Sequence, residues 1–170
     1  MGQISKTAKV DKKSIVHPNA RVEGNAVVEQ SWLQDLAVIK DSAEMKSNSA
    51  AEGYSQISGN AKVVSSFLQG NAKISGEAEI LRTSLLDNAD VSGRAKLSSI
   101  QVKDNSKVDG NASLINPLDN FIILAGACHF GGNVTFEGLK DYRDFKAKYG
   151  ADKVKVKGGE VTLTDVVDTR

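Results

Sequence analysis

The sequence predicts an all-β fold: a triangular parallel solenoid of 17–18 residues per coil over residues 1–136, closed by a C-terminal helix plus β-hairpin cap over 137–170. Two observations predict it. A six-residue phrase ending in small-x-apolar recurs along most of the chain, and in four units the third phrase is cut to five residues without losing register. Composition agrees, since 15 Gly, 2 Pro and 5% aromatics do not suit a conventional globular core.

Written out, the first unit is HPNARV, EGNAVV, EQSWL (17–33). The next, QDLAVI, KDSAEM, KSNSAA (34–51), departs furthest from the pattern and is one residue longer. Then come EGYSQI, SGNAKV, VSSFL (52–68) and QGNAKI, SGEAEI, LRTSL (69–85). LDNADV, SGRAKL, SSIQV (86–102) and KDNSKV, DGNASL (103–114) follow. AGACHF and GGNVTF (125–136) make a seventh unit if INPLDNFIIL (115–124) supplies the third side before them, with about five extra residues. SKTAKV and DKKSIV (5–16) read as a partial opening turn.

One phrase has a direct physical reading. In Ala-x-Val the outer two residues point to one face of an extended strand and the middle one to the other, so Ala and Val face in and x faces out. Gly and Asn before them readily take positive φ or hydrogen-bond their own turn. Each phrase is a corner followed by a short strand, and three phrases close a triangle. Stacked at about 4.8 Å per layer, seven coils give a prism roughly 30 Å tall.

The phrases Ile74-Ser-Gly-Glu-Ala78 and Val91-Ser-Gly-Arg-Ala95, with Val16-His-Pro-Asn-Ala20 at the start, carry a resemblance. An aliphatic followed four positions later by a small residue resembles the left-handed parallel β-helix of hexapeptide-repeat proteins, over roughly residues 5–136. The xGNAxV dialect is similar to transferase-like and phage or bacterial β-solenoids. Left-handedness, a homotrimer and, in the acyltransferase branch, a catalytic histidine near a trimer interface are what this resemblance implies.

Charge excludes some functions. With 22 Lys and Arg against 21 Asp and Glu, the net charge of +1 gives no field for nucleic acid or anionic membrane. No apolar run approaches the roughly 20 residues that span a bilayer. The single Cys128 cannot form an internal disulfide and MGQISKTAKV lacks a signal-type apolar stretch, so a cytoplasmic setting is expected, or a virion if the chain is phage-derived. No spacing suits a metal, and no cofactor motif is present.

Candidate sites lie where the repeat varies. The outward column of the first side reads Arg21, Val38, Gln56, Lys73, Asp90, Lys107, His129, and the second reads Val27, Glu44, Lys62, Glu79, Lys96, Ser113, Thr135. The second side alternates in charge and looks finished as a solvated ladder. The third reads Trp32, Ala50, Phe67, Ser84, Gln101, Ile123, with no charge and two aromatics. Trp32, Ala50, Phe67 and Ile123 are therefore the expected interface, unless the five-residue arm turns Trp32 and Phe67 into the core. His129 is the candidate general base, with Lys107 one layer away and no obvious carboxylate beside it unless Asp119 folds back. Asn116 and Asp119 in the extra loop are candidate ligand contacts. His17 reads as a surface corner and Cys128 as a buried inert thiol.

Past residue 136, Leu139, Tyr142, Phe145 and Tyr149 fall at helical spacing before Gly150. The alternation on both sides of Lys157-Gly-Gly-Glu160 reads as a hairpin that pairs on the solenoid or on a neighbouring subunit. Together these features read as a non-enzymatic structural or interaction module, homo-oligomeric, with possible contact to a protein partner. Two alternatives stand beside it: a trimeric acyltransferase-like enzyme with His129 as base, and a small-ligand-binding oligomer with sites between subunits.

Overall fold

The computed structural model describes residues 2–116, 122–137, 153–156, 159–162 and 165–168, with side chains described as far as residue 135. The stretch 139–149 expected to be helical, and Asp119, lie outside those residues. Three sheets run along the chain, each taking every third strand of the coil. The first face holds Gln3–Ile4, Arg21–Val22, Val38–Ile39, Gln56–Ile57, Lys73–Ile74, Asp90–Val91, Lys107–Val108 and His129–Phe130. The second holds Lys9–Val10, Val27–Val28, Glu44–Lys46, Lys62–Val64, Glu79–Leu81, Lys96–Ser98, Ser113–Ile115 and Thr135–Glu137. Ile15–Val16, Trp32–Leu33, Ala50–Ala51, Phe67–Leu68, Ser84–Leu85, Ile100–Val102 and Ile122–Ala125 make the third.

All these pairings are parallel and in step. Val22, Ile39, Ile57, Ile74, Val91, Val108 and Phe130 stack partner on partner up the first face. The chain is thus a parallel β-solenoid of about seven turns, consistent with the left-handed β-helix that the resemblance implies. Residues 3–16 do more than the partial turn expected of them: they place one strand on each face and complete an opening coil. The inward aliphatics are at most 2% exposed from Val22 to Leu124, each contributing roughly 1.5–3 kcal/mol by burial.

Corners decide whether this stacking works. At the corner between first and second faces, Gly59, Gly76, Gly93 and Gly110 sit above one another at φ of 66–73°. A Cβ on Gly76 would lie 2.6 Å from the Gly93 carbonyl oxygen, so the column is bare for lack of room as well as for its backbone sign. At the corner between third and first faces, aspartates replace some glycines at the same positive φ: Asp35, Asp87 and Asp104 at 53–59°. Their carboxylates are used there. Gly53 N–H donates to Asp35 Oδ2 at 3.0 Å, and Gly126 N–H to Asp104 Oδ2 at 2.8 Å.

The corner between second and third faces is built differently, which explains the shortened phrase. Ser31, Ser49, Ser66 and Thr83 turn their hydroxyls inward and are at most 4% exposed. Each hydroxyl donates to its own strand's end, as Ser66 Oγ does to the Val64 carbonyl at 2.7 Å. Two of them also accept from the next coil: Ser49 Oγ from Ser66 N–H and Ser66 Oγ from Thr83 N–H, each at 3.1 Å. Side-chain oxygens replace a corner residue. The second unit, one residue longer than its neighbours, absorbs its extra residue here too: Ser47 and Asn48 both take positive φ, at 58° and 62°, where neighbouring coils use only Gln30 or Ser65. Beside them Lys46 bridges Glu44 at 3.0 Å and Glu29 at 3.6 Å, and the Glu44 bond holds its ammonium above the usual lysine range.

The hairpin forms as expected and pairs on the solenoid. Lys153–Val156 and Gly159–Thr162 run antiparallel, and Gly159–Thr162 extends the first face with Thr162 opposite His129. A further strand not foreseen from sequence, Asp165–Asp168, adds antiparallel to Ile122–Ala125 on the third face.

Two buried serines of opposite circumstance test this account. Ser66→Ala should cost about 1–3 kcal/mol, because it strands the Thr83 N–H. Ser106 Oγ, in an alanine column, is buried with no hydrogen-bond partner. Ser106→Ala should therefore hold or raise stability by up to about 1 kcal/mol. Urea unfolding midpoints of the two variants should move in opposite directions from wild type.

Candidate functional site

His129 stands directly over Lys107, as the first-face column predicts. Its Nε2 lies 3.1 Å from Asp109 Oδ2, and Lys107 Nζ lies 3.3 Å from the same oxygen. The sequence reading finds no carboxylate beside His129 apart from Asp119; the structure supplies Asp109. This residue opens the corner phrase DGNASL two positions past Lys107, and there the turning chain brings it alongside the outward residue of the coil above. Counting down the faces skips the corners, and the missed signal is an acidic residue at the corner next to the histidine's own layer.

Chemically, the arrangement is an oriented imidazole. When Nε2–H donates to Asp109, Nδ1 keeps the lone pair and becomes the only nitrogen able to take a proton. Lys107 competes for the same carboxylate oxygen, so Asp109 is a shared partner. Gly131 completes the fit. It is buried, and a Cβ there would lie 2.7 Å from Asp109 Oδ1 and 3.0 Å from His129 Nε2.

The third face answers the question of which way the aromatics point. Ile15, Trp32, Ala50, Phe67, Ser84, Gln101 and Ile123 form one continuous column of Cα partners. Their neighbours Leu33, Ala51, Leu68 and Leu85 are at most 2% exposed, so Trp32 and Phe67 stand on the outer side, half-buried along the column. Ile15 at its foot is 59% exposed. No member carries charge, whereas the second face pairs Lys96 with Glu79 at 3.3 Å and the first carries Arg21, Lys73, Asp90 and Lys107.

The remaining candidates separate. Asn116 is 3% exposed and its Nδ2 donates to the Ser99 carbonyl at 3.2 Å, which makes it a bracket to the coil below. Cys128 is 1% exposed, with Sγ donating to the Ala125 carbonyl at 3.2 Å. His17 is exposed at its corner. One feature escaped the sequence reading: Leu36 and Tyr54, 46% and 62% exposed, take the corner position that Asn holds in other coils. With Val38 as floor and Arg21, Gln3 and Gln56 around it, they border an open groove of about 470 Å³.

No protein-family model matches the sequence, and no curated protein is significantly similar to it. Among solved structures, the chain is similar to a UDP-N-acetylglucosamine acyltransferase from Campylobacter jejuni at 16% identity, covering 75% of this chain and 70% of that one, with a TM-score of 0.42. It is also similar to the acetyltransferase domain of PglB from Neisseria gonorrhoeae at 14% identity, TM-score 0.32, spanning 76% of this chain but only 53% of that one. A UDP-N-acetylglucosamine O-acyltransferase (LpxA) from Moraxella catarrhalis matches at 14% identity over 76% of this chain and 71% of that one, TM-score 0.31.

The crowding at Gly131 gives a measurable coupling. Gly131→Ala should cost about 1–3 kcal/mol by overpacking. In a double-mutant cycle with His129→Ala, part of that loss should return, because removing the imidazole frees the space the methyl needs. Additive losses in chemical denaturation would mean that the two side chains do not meet.

Proposed function

We propose that this chain is a non-enzymatic β-solenoid module that self-associates through its third face. The observation that carries this reading is the seven-residue uncharged outward column holding Trp32 and Phe67. Covering the first or second face would strip water from lysines, aspartates and glutamates, at several kcal/mol per unpaired ion. Covering the third removes apolar, hydroxyl and amide surface only. Aromatic side chains on a charge-depleted flat face are the composition of an interface centre.

A second reading is favoured by the His129–Asp109 contact at 3.1 Å. On it, the chain is a transferase-like enzyme in which Nδ1 of His129 accepts a proton from a substrate nucleophile and Asp109 holds the ring. Such a base also needs an acyl donor bound beside it, and His129 lies at the end of the first face, below the strand Gly159–Thr162.

Two measurements divide the readings. Light scattering after size exclusion should give a multiple of the chain mass for wild type and a lower mass for the Trp32→Asp, Phe67→Asp double variant. Its melting should stay close to wild type, since the inward layer is intact; equal masses would count against the interface. With acetyl-CoA as probe, wild type and His129→Ala should give the same hydrolysis and the same lack of binding. A loss of turnover confined to His129→Ala would put the enzyme reading first.

A further inference from the structure

We infer that the partner on the third face is a second copy of this chain turned end for end. The two-fold axis runs along the strand direction and passes between the Ala50 and Phe67 layers. The inference rests on the third-face reading above and adds to it the order and register of the assembly.

The sizes of the outward residues carry it. From the N-terminal end the column reads Ile15, Trp32, Ala50, Phe67, Ser84, Gln101, large and small in alternation around its middle. Turned about that axis, Trp32 meets the Ser84 layer of the other copy, Phe67 meets the Ala50 layer, and Ile15 meets the Gln101 layer. Each aromatic finds a short side chain opposite it, as interdigitating sheets require.

Three other registers fail on the same residues. Two copies side by side in the same direction would set Trp32 on Trp32 and Phe67 on Phe67, leaving voids at the Ala50 and Ser84 layers. Moving the axis onto the Ala50 layer would set Trp32 against Phe67, and would bring the corner residue Glu52 against its own copy. Moving it onto the Ser84 side, into the Phe67 layer, would set Phe67 on Phe67. In the inferred register Glu52 meets Gln69 and Arg82 meets Gln30, so neither of these ions faces its like.

Size is adequate. Six layers at about 4.8 Å stand roughly 29 Å tall, and a five-residue side at about 3.3 Å per residue is roughly 17 Å wide. That is about 500 Å² of flat face per copy, or about 1,000 Å² for the pair, at the threshold for a specific interface. The same patch on both copies closes the assembly at two, with no surface left to propagate it.

The test is cross-linking in the full chain. Ile15→Cys and Gln101→Cys are outward positions five layers apart, about 24 Å, too far for a short bismaleimide to bridge within one copy. The native Cys128 is 1% exposed and should stay unreacted. The double variant should give a covalent dimer, and neither single variant should. Alongside it, the sole tryptophan, Trp32, reports on the wild-type face itself, and its emission should shift to the red on dilution. A dimer that cross-links through Ile15→Cys alone, or a trimeric mass lost in the Trp32→Asp, Phe67→Asp variant, overturns the register and leaves the third-face reading standing. A monomer at every concentration, with unchanging Trp32 emission, overturns both.

Discussion

Everything in this molecule depends on one repeated contact, the backbone hydrogen bond from each coil to the coil above it. Lys62 N–H donates to the Ala78 carbonyl at 2.8 Å, and Asn60 N–H at the corner donates to Gly76 at 2.7 Å. Strand bonds alone would tolerate a neighbour of another shape. Corner bonds do not, because they fix the contour of each turn to that of the next. The left-handed glycine column, the aspartates that stand in for it and the buried serine ladder are three ways of meeting that requirement with different side chains.

The same requirement explains what was legible in the sequence. Inward and outward assignment follows from strand alternation, so the core and the three outward columns could be read from the phrase, including Lys107 beneath His129 and Ala50 between Trp32 and Phe67. The register survived the longer second unit because Ser47 and Asn48 take up the extra residue at a corner. What could not be read lies where the chain turns. Asp109 reaches His129 around a bend, and the Ser31, Ser66 and Thr83 hydroxyls do backbone work that composition does not announce. Leu36 and Tyr54 likewise break a corner column of asparagines, in which Asn71 donates to Asn88 and Asn88 to Asn105.

The three faces have thereby become independent. Since the inward residues and corners maintain the coil, the outward position of each strand is free to vary without disturbing the stack. The second face has filled these positions with a charge ladder, the first with mixed polar groups ending in His129 and Asp109, and the third with neutral residues of alternating size. A face of this kind is a surface whose chemistry is set one residue per layer, at the spacing of the sheet.

The unequal ends of the three sheets have a consequence for growth. A parallel solenoid with a flat last coil would offer a ready template on which another copy's first coil could continue, and chains could lengthen without limit. Here the first face carries two strands beyond its last coil and the third carries one running the opposite way, while the second, among the described residues, carries none. Among the described residues, the end is a staircase. On the described residues a level opening coil would meet only one step at a time, a mismatch that opposes the lattice the repeat would otherwise extend.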